Sequence, residues 1–199
     1  MKQEILRIER VSCLEKGIVQ LEDFSLTIFA GEIMGLLPVD NHGLTALLNL
    51  IQHNIPLKYG HVYYRGEQVN TWRNTKHRVN KIGIIQSESC LVEGLTVADN
   101  IFVLRPGFRT RLVRTSILRQ QLLPFLESID ISISADAYVE ELNPFEKVVV
   151  DVLKAVVAGC RLIVLRDISA ELCESELEKI HELIRHYAKQ GFSFLYIDA

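Results

Sequence analysis

The amino-acid sequence predicts an α/β fold with a mainly parallel core sheet, an N-terminal antiparallel β patch and a helical subdomain. Short, continuously apolar runs alternate with amphipathic stretches, which is typical of parallel strands buried between helices. The first strands instead alternate polar and apolar residues, as an antiparallel sheet with one face in water does.

The composition indicates a globular chain. Its 199 residues carry a net charge of −3 and are 48% hydrophobic, which excludes a disordered chain and a nucleic-acid binder held mainly by positive charge. Three charged side chains interrupt the most apolar stretch, 148–165, so we expect core there and no membrane span. The four scattered cysteines are interpreted as small buried side chains in a reducing cytosol.

We expect one domain over 1–199, with a helical subdomain at about 97–155. The alternative is that the sequence is a piece of a longer chain.

The first part of the chain predicts an antiparallel pair and then a strand, a loop and a helix. Residues 4–10 and 22–29 alternate in polarity, and 30–32 supply a turn. The apolar run 33–37 predicts a strand buried on both faces. Apolar residues then repeat at helical spacing over 44–51, after a polar loop. This order is that of a phosphate-binding loop.

The second part of the chain predicts strands that alternate with helices. A strand pair turns at 65–67, and KIGIIQ at 81–86 is a second buried strand. The later predicted elements are helices over 96–104, 115–129 and 145–158, a buried strand over 161–165, a charged helix over 174–189 and a last strand over 192–197.

Three stretches, in this order, resemble the ATP-binding cassette (ABC) domain of ABC transporters, most closely that of the sugar-import ATPases. They are the strand–loop–helix entry over 24–51, GIIQSESCLVEGLTVADNIF over 83–102, and LNPFEKVVVDVLKAV followed by RLIVLRDISAEL within 142–172. The resemblance implies a P-loop NTPase-like fold and ATP with Mg²⁺ as cofactors. It also implies a second ABC ATPase domain and a transmembrane permease subunit as partners, and a cytoplasmic location at the inner face of the cell membrane.

The loop over 38–45 departs from the pattern GxxxxGK[ST] that the resemblance implies. Gly43 and Thr45 fit the pattern, and Thr45 is a candidate Mg²⁺ ligand. Pro38, which has no amide N–H, stands at the first glycine, and Leu44 stands at the phosphate-binding lysine. These departures predict weak nucleotide binding or none. The candidate residues of this degenerate phosphate loop are Pro38, Asn41, His42, Gly43, Leu44, Thr45 and Ala46.

The strand over 162–165 is followed by Arg166 and Asp167, where the resemblance implies an aspartate for Mg²⁺ and a glutamate for water. Asp167 is therefore the candidate catalytic carboxylate, and Arg166 could replace the missing lysine charge. Gln86 matches the family's Q-loop glutamine, which implies a coupling role near the permease and a second candidate Mg²⁺ ligand.

Other family positions are altered as well. Residues 142–146, LNPFE, replace the LSGGQ signature with bulk, a lost N–H and a negative charge. Leu14 and Glu15 stand where an aromatic would stack on adenine, and Asp198-Ala199 stands for Ser-His at the switch histidine.

We interpret the chain as an ABC-type domain with weak or no ATP hydrolysis, acting as a binding, structural or regulatory subunit of a sugar-type importer. One alternative is an active transport ATPase that uses Arg166 or His42 for the lysine and Asp167 for the glutamate. The other is a nucleotide-sensing regulatory module outside transport.

Overall fold

A computed structural model describes residues 3–15, 18–38, 43–52, 57–69, 82–103 and 115–198. In chain order, the described elements are β1 (Glu4–Glu15), β2 (Ile18–Phe29), β3 (Ile33–Leu36), α1 (Leu44–Gln52), β4 (Tyr59–Tyr64), β5 (Glu67–Gln68), β6 (Ile82–Gln86), α2 (Val97–Phe102), α3 (Leu123–Ser128), α4 (Pro144–Ala158), β7 (Leu162–Arg166), α5 (Glu174–Lys189) and β8 (Ser193–Ile197). A π-helical turn over Leu118–Leu122 precedes α3, and 3₁₀ turns occupy Val139–Glu141 and Ile168–Glu171.

The strands form two sheets, as the sequence predicts. The antiparallel sheet has the order β2-β1-β4-β5, and the parallel sheet has the order β3-β8-β7-β6. In the antiparallel sheet, Leu6, Ile8 and Val62 are buried on the inner face, where α1 packs with Leu47 and Ile51. Apolar residues on one stripe of the helix thus cover the apolar face of the sheet.

One of the two inner strands of the parallel sheet is β7, whose side chains divide between two apolar clusters. Leu162 and Val164 belong to the cluster that contains α1, whereas Ile163 and Leu165 belong to the cluster that contains α4 and α5. All four side chains are fully buried, which confirms the predicted strand with helices on both faces. The two clusters together make a layered α/β domain with the sheet in the middle.

Two sequence predictions about burial are wrong. The strand β3 is not buried on both faces, because it lies at the edge of the described parallel sheet and Ile33 is 40% exposed. The cysteines do not all act as core residues, because Cys90 and Cys173 are exposed and only Cys13 is fully buried. The hairpin strands are also longer than predicted, since β1 continues to Glu15 and β2 begins at Ile18.

The helices begin and end where local capping predicts. Thr96 caps α2 by accepting a hydrogen bond from the Asp99 N–H at 3.2 Å. Gly159, with φ +82°, ends α4 in the left-handed conformation that favours glycine.

The helical subdomain boundary at about 97–155 stays a prediction. In the part of the chain that the structure describes, every helix is too short or too polar to cross a membrane.

Candidate functional site

The carboxyl edge of the parallel sheet brings several predicted site residues together. Gln86 at the end of β6 is the register partner of Arg166 at the end of β7, and Arg166 is the partner of Ile197 in β8. Leu36 at the end of β3 pairs with Ile197 from the other side. Pro38 and Asp167 therefore follow the ends of β3 and β7, one on each side of β8, at the edge where open α/β sheets bind ligands.

At this edge Arg166 and Asp167 neutralise each other. Arg166 Nε lies 3.0 Å from Asp167 Oδ2, and the two side chains are 31% and 34% exposed. The Asp167 N–H donates to the Ile197 carbonyl at 2.9 Å, and φ of Asp167 is +51°. Its left-handed backbone turns the chain sharply out of β7, which directs the carboxylate back onto the guanidinium of its own neighbour.

A second polar contact closes the same edge. Ser169 Oγ, in the 3₁₀ turn after β7, donates to Asp198 Oδ1 at 2.6 Å. This contact ties the turn to the residue that follows β8. Ala199, where the resemblance implies the switch histidine, lies outside the described residues.

The phosphate loop is described only at its two ends. Asn41 and His42 lie outside the described residues, so their predicted roles stay predictions. At the C-terminal end, Gly43 has φ +82°, and a Cβ there would lie 2.4 Å from the Gln20 carbonyl oxygen. Only glycine fits this approach of the loop to β2.

Leu44, at the lysine position of the resemblance, is a core residue. Its side chain is 5% exposed and belongs to the apolar cluster beneath the antiparallel sheet. Thr45 beside it is exposed on the first turn of α1, and Ala46 is buried. The start of α1 thus presents a threonine hydroxyl to solvent and directs an aliphatic chain inward.

The signature segment is capped by its own side chains. Asn143 Oδ1 accepts the Glu146 N–H at 2.9 Å, and Glu146 Oε2 accepts the Asn143 N–H at 2.9 Å. Pro144 occupies the first turn of α4, and Phe145 is buried in the core. The positive end of the helix dipole therefore already carries a carboxylate, which opposes the approach of another anion.

The predicted adenine position carries an aliphatic side chain. Leu14 lies opposite Val19 near the tip of the β1–β2 hairpin, and Leu14 is 44% exposed. An exposed leucine offers apolar contact and lacks the flat ring that stacking requires.

One polar residue near Gln86 was missed by the sequence prediction. Asp151, inside α4, is 7% exposed and accepts a hydrogen bond from Ser89 Oγ at 2.8 Å. Lys154, one turn further along, donates to the Cys90 carbonyl at 3.1 Å. Burial raises the pKa of the Asp151 carboxyl. A lone carboxylate within an apolar helical run was the available signal, and its contacts attach the segment after β6 to α4.

Gln86 and Thr45 are both among the described residues, and their roles as Mg²⁺ ligands stay predictions. In the described part of the chain, no group of three or more histidines, cysteines and carboxylates is arranged to hold a metal ion. The carboxylates at the sheet edge, Asp167 and Asp198, are engaged with Arg166 and Ser169 respectively.

Comparison with known proteins identifies the family. The sequence profile of the family described as ABC transporter matches residues 21–167. The ribose import ATP-binding protein RbsA of Caldanaerobacter subterraneus subsp. tengcongensis is 27% identical over 198 residues, which cover 98% of this chain and 40% of that protein. The arabinose import ATP-binding protein AraG of Yersinia pestis is 26% identical over 181 residues, which cover 91% of this chain and 35% of that protein. The chain thus spans about two fifths of the length of these relatives.

A solved structure has the same fold. CbiO1 from Clostridium perfringens, part of the ABC transporter complex CbiONQ, is similar with a TM-score of 0.81 at 16% identity. The match covers 99% of this chain and 79% of that one. Because the family profile covers well over half of the residues, this protein belongs to the ABC transporter family.

Proposed function

We propose that this chain is a degenerate ATP-binding domain of a sugar importer, which binds partner subunits and hydrolyses ATP weakly or not at all. The burial of Leu44 in the core carries the proposal. A lysine at this position would hold phosphate through a charge-assisted contact, and a buried leucine cannot.

The sheet edge supports the same conclusion. Mg²⁺ bound to a triphosphate needs oxygen ligands and is repelled by a nearby cation. Arg166 places a guanidinium at the end of β7, and it holds the Asp167 carboxylate at 3.0 Å. Freeing Asp167 for a metal or for water would break this ion pair. The ion pair supports the proposal that ATP with Mg²⁺ binds weakly or not at all, and no catalytic step is assigned to these residues.

The N-terminus of α4 supports the proposal that this chain no longer helps a second ATPase domain to bind nucleotide. A partner's nucleotide would have to meet the Asn143–Glu146 capping box, which presents a carboxylate at the helix end. In the proposal a second ATPase domain is therefore a binding partner, and no competent nucleotide site is assigned between the two domains. A transmembrane permease is the second partner, and the segment after Gln86 is its proposed docking region at the inner face of the cell membrane.

The sugar class rests on the relatives. The names of RbsA and AraG describe ribose import and arabinose import, and their similarity extends over nearly all of this chain. Residues elsewhere in a transporter would select the sugar, so we assign this chain to the import machinery and to no particular pentose.

An active ATPase is the second candidate, and one observation favours it. Arg166 and Asp167 lie beside Gln86 at the ligand-binding edge, so a cation and a carboxylate are present where both would be needed. In this alternative ATP would break the ion pair. Arg166 would then take the role of the lysine, and Asp167 that of the glutamate. Asp167→Asn would then abolish turnover while the fold remained intact.

A titration with Mg-ATP tests the proposal. The melting midpoint and phosphate release are followed together, with Asp167→Asn as the matched variant. Ligand at one hundred times Kd would stabilise the fold by about 2.7 kcal/mol. We expect neither a shift nor turnover. A shift without turnover would indicate a nucleotide sensor, and turnover that Asp167→Asn abolishes would establish the active ATPase.

A further inference from the structure

A basin of about 900 Å³ lies on the outer face of the antiparallel sheet, on the side of β1 opposite its buried core residues. Its volume lies within the range of small-molecule sites, about 300–1,000 Å³. It is formed by the outward residues of β1, β2 and β4, away from the carboxyl edge of the parallel sheet. The charged residues of its lining are Arg7, Glu9, Arg10, Glu22 and Asp23.

Strand bulges give the basin its shape. Arg10 and Asp23 have φ values of +46° and +47°, and the β1–β2 register shifts around them. Gly60 has φ +90°, and a Cβ there would lie 2.5 Å from the carbonyl oxygens of both Glu9 and Arg10. The strands therefore approach closely at one point and bend away from it. Bulges of this kind redirect side chains and are frequent beside functional sites.

Side chains that line the basin also brace the bulges. Arg10 Nε pairs with Asp23 Oδ1 at 2.9 Å, and the Arg10 N–H donates to Ser25 Oγ at 2.9 Å. The Asp23 N–H donates to Ser12 Oγ at 3.0 Å. Each serine oxygen accepts from the backbone and keeps its own proton, so Ser12 and Ser25 present hydroxyl donors.

The charges of the lining disfavour an anion. Arg7 is paired with Glu4 and Glu9, and Arg10 is paired with Asp23, so neither guanidinium is uncompensated. The lining contains Arg7 and Arg10 against Glu9, Glu22 and Asp23, which leaves one negative charge in excess with histidine neutral. Glu22 supplies that excess, at the bulge of β2.

An exposed aromatic side chain completes the wall. Tyr59 is 65% exposed and pairs across the strands with Ser12. Lys58 lies over its ring, with Nζ 5.5 Å from the ring centre. The basin thus combines hydroxyl donors, carboxylate acceptors, paired guanidinium groups and one aromatic face, beside the aliphatic Ile8.

We infer that this basin binds a neutral, polyhydroxylated small molecule of one or two sugar rings, with Glu22 as its principal acceptor. Vicinal hydroxyls donate and accept in alternation, which matches serine hydroxyls beside carboxylates. An apolar ligand would leave these groups unpaired, at a cost. The site lies apart from the nucleotide edge, so the inference stands whether or not the chain binds ATP.

Saturation-transfer NMR on the 199-residue chain, without nucleotide, tests the inference with D-ribose and maltose as one-ring and two-ring probes. Spermidine and pyrophosphate serve as the cationic and anionic comparisons. Glu22→Gln keeps the shape and removes the charge, and Glu178→Gln is the matched control at an exposed carboxylate on α5. We expect millimolar binding of at least one sugar, weakened about tenfold by Glu22→Gln and unchanged by Glu178→Gln.

Three outcomes would overturn the inference. They are absence of saturation transfer to either sugar, sugar binding that Glu22→Gln leaves unchanged, and binding of only spermidine or pyrophosphate. Circular dichroism of both variants checks that the fold is intact, and Glu22 is exposed enough for the substitution to be tolerated.

Discussion

Ser169 and Asp198 lie 29 positions apart in the chain and share a hydrogen bond of 2.6 Å between Oγ and Oδ1. The bond joins the turn after β7 to the end of β8, so two neighbouring strand ends move together. In this family member, the edge of the sheet that would face a nucleotide is thus held by its own side chains.

A double-mutant cycle on Ser169→Ala and Asp198→Ala measures this bond. Both side chains are partly exposed, so we expect a coupling of about 0.5–1.5 kcal/mol in the free energy of unfolding. Urea denaturation of the two single variants and the double variant gives the value. Strictly additive effects would mean that the two side chains do not interact in solution.

Restoring the family lysine by Leu44→Lys should destabilise the fold. The substitution places an ammonium group where a side chain is 5% exposed, and we expect a loss of about 2–4 kcal/mol in the free energy of unfolding. Thr45→Lys, on the same turn but exposed, should change it by less than about 0.5 kcal/mol. Equal stability of the two variants, together with new ATP binding by Leu44→Lys, would show that position 44 faces the phosphate loop.

Alanine substitutions at two glycines in the left-handed conformation distinguish the cost of backbone strain from the cost of a steric clash. Gly66 has φ +80° with open space around it, so Gly66→Ala should cost about 1–2 kcal/mol through its backbone alone. Gly43→Ala adds a Cβ 2.4 Å from the Gln20 carbonyl and should cost more. The comparison is made by thermal melting. If the two losses are equal, the approach of the loop to β2 is looser than the structure indicates.

The buried carboxyl of Asp151 should make stability depend on pH. Burial raises its pKa above the ordinary value of 3.8, so the folded chain holds the proton when the unfolded chain has released it. Stability from this group therefore falls as pH rises from 3.8 through the raised pKa. Asp151→Asn still accepts from Ser89 and removes the titration. We expect this variant to gain stability relative to the parent chain as pH rises through that window.

Urea midpoints measured across the acid range test this expectation, with Ser89→Ala as the second variant. Ser89→Ala removes the hydrogen bond that favours the charged carboxylate, so the pKa should rise further and the loss of stability should extend to higher pH. Parallel pH profiles for the parent chain and Asp151→Asn would show that Asp151 is not the group that titrates.

The sequence was most informative where local chemistry decides the structure. The run Leu162–Leu165 predicted a strand covered on both faces, and α5 begins and ends at the predicted residues because its charged and apolar residues alternate at helical spacing. For β3 the same apolar pattern predicted burial on both faces, and this prediction is wrong. Its composition carried no information on whether a neighbouring strand lies on each side.

The polar contacts of the site could not be predicted, because they join residues that are distant in sequence. Asp151 and Ser89 are 62 positions apart, and their contact depends on how α4 packs beside β6. There a Cβ on Gly83 would come within 2.8 Å of the Ala155 Cβ. The Arg166–Asp167 pair joins adjacent residues, yet it too depends on the left-handed backbone of Asp167.

The place of β8 between β3 and β7 bears on how the chain folds during synthesis. Among the described strands, residues 33–36 pair in the parallel sheet with residues 193–197, so this pairing forms only after β8 has left the ribosome. Until then one hydrogen-bonding edge of β7 has no strand beside it in the nascent chain. Translation pauses or chaperone binding between the synthesis of β7 and that of β8 should therefore influence the yield more than those before β7.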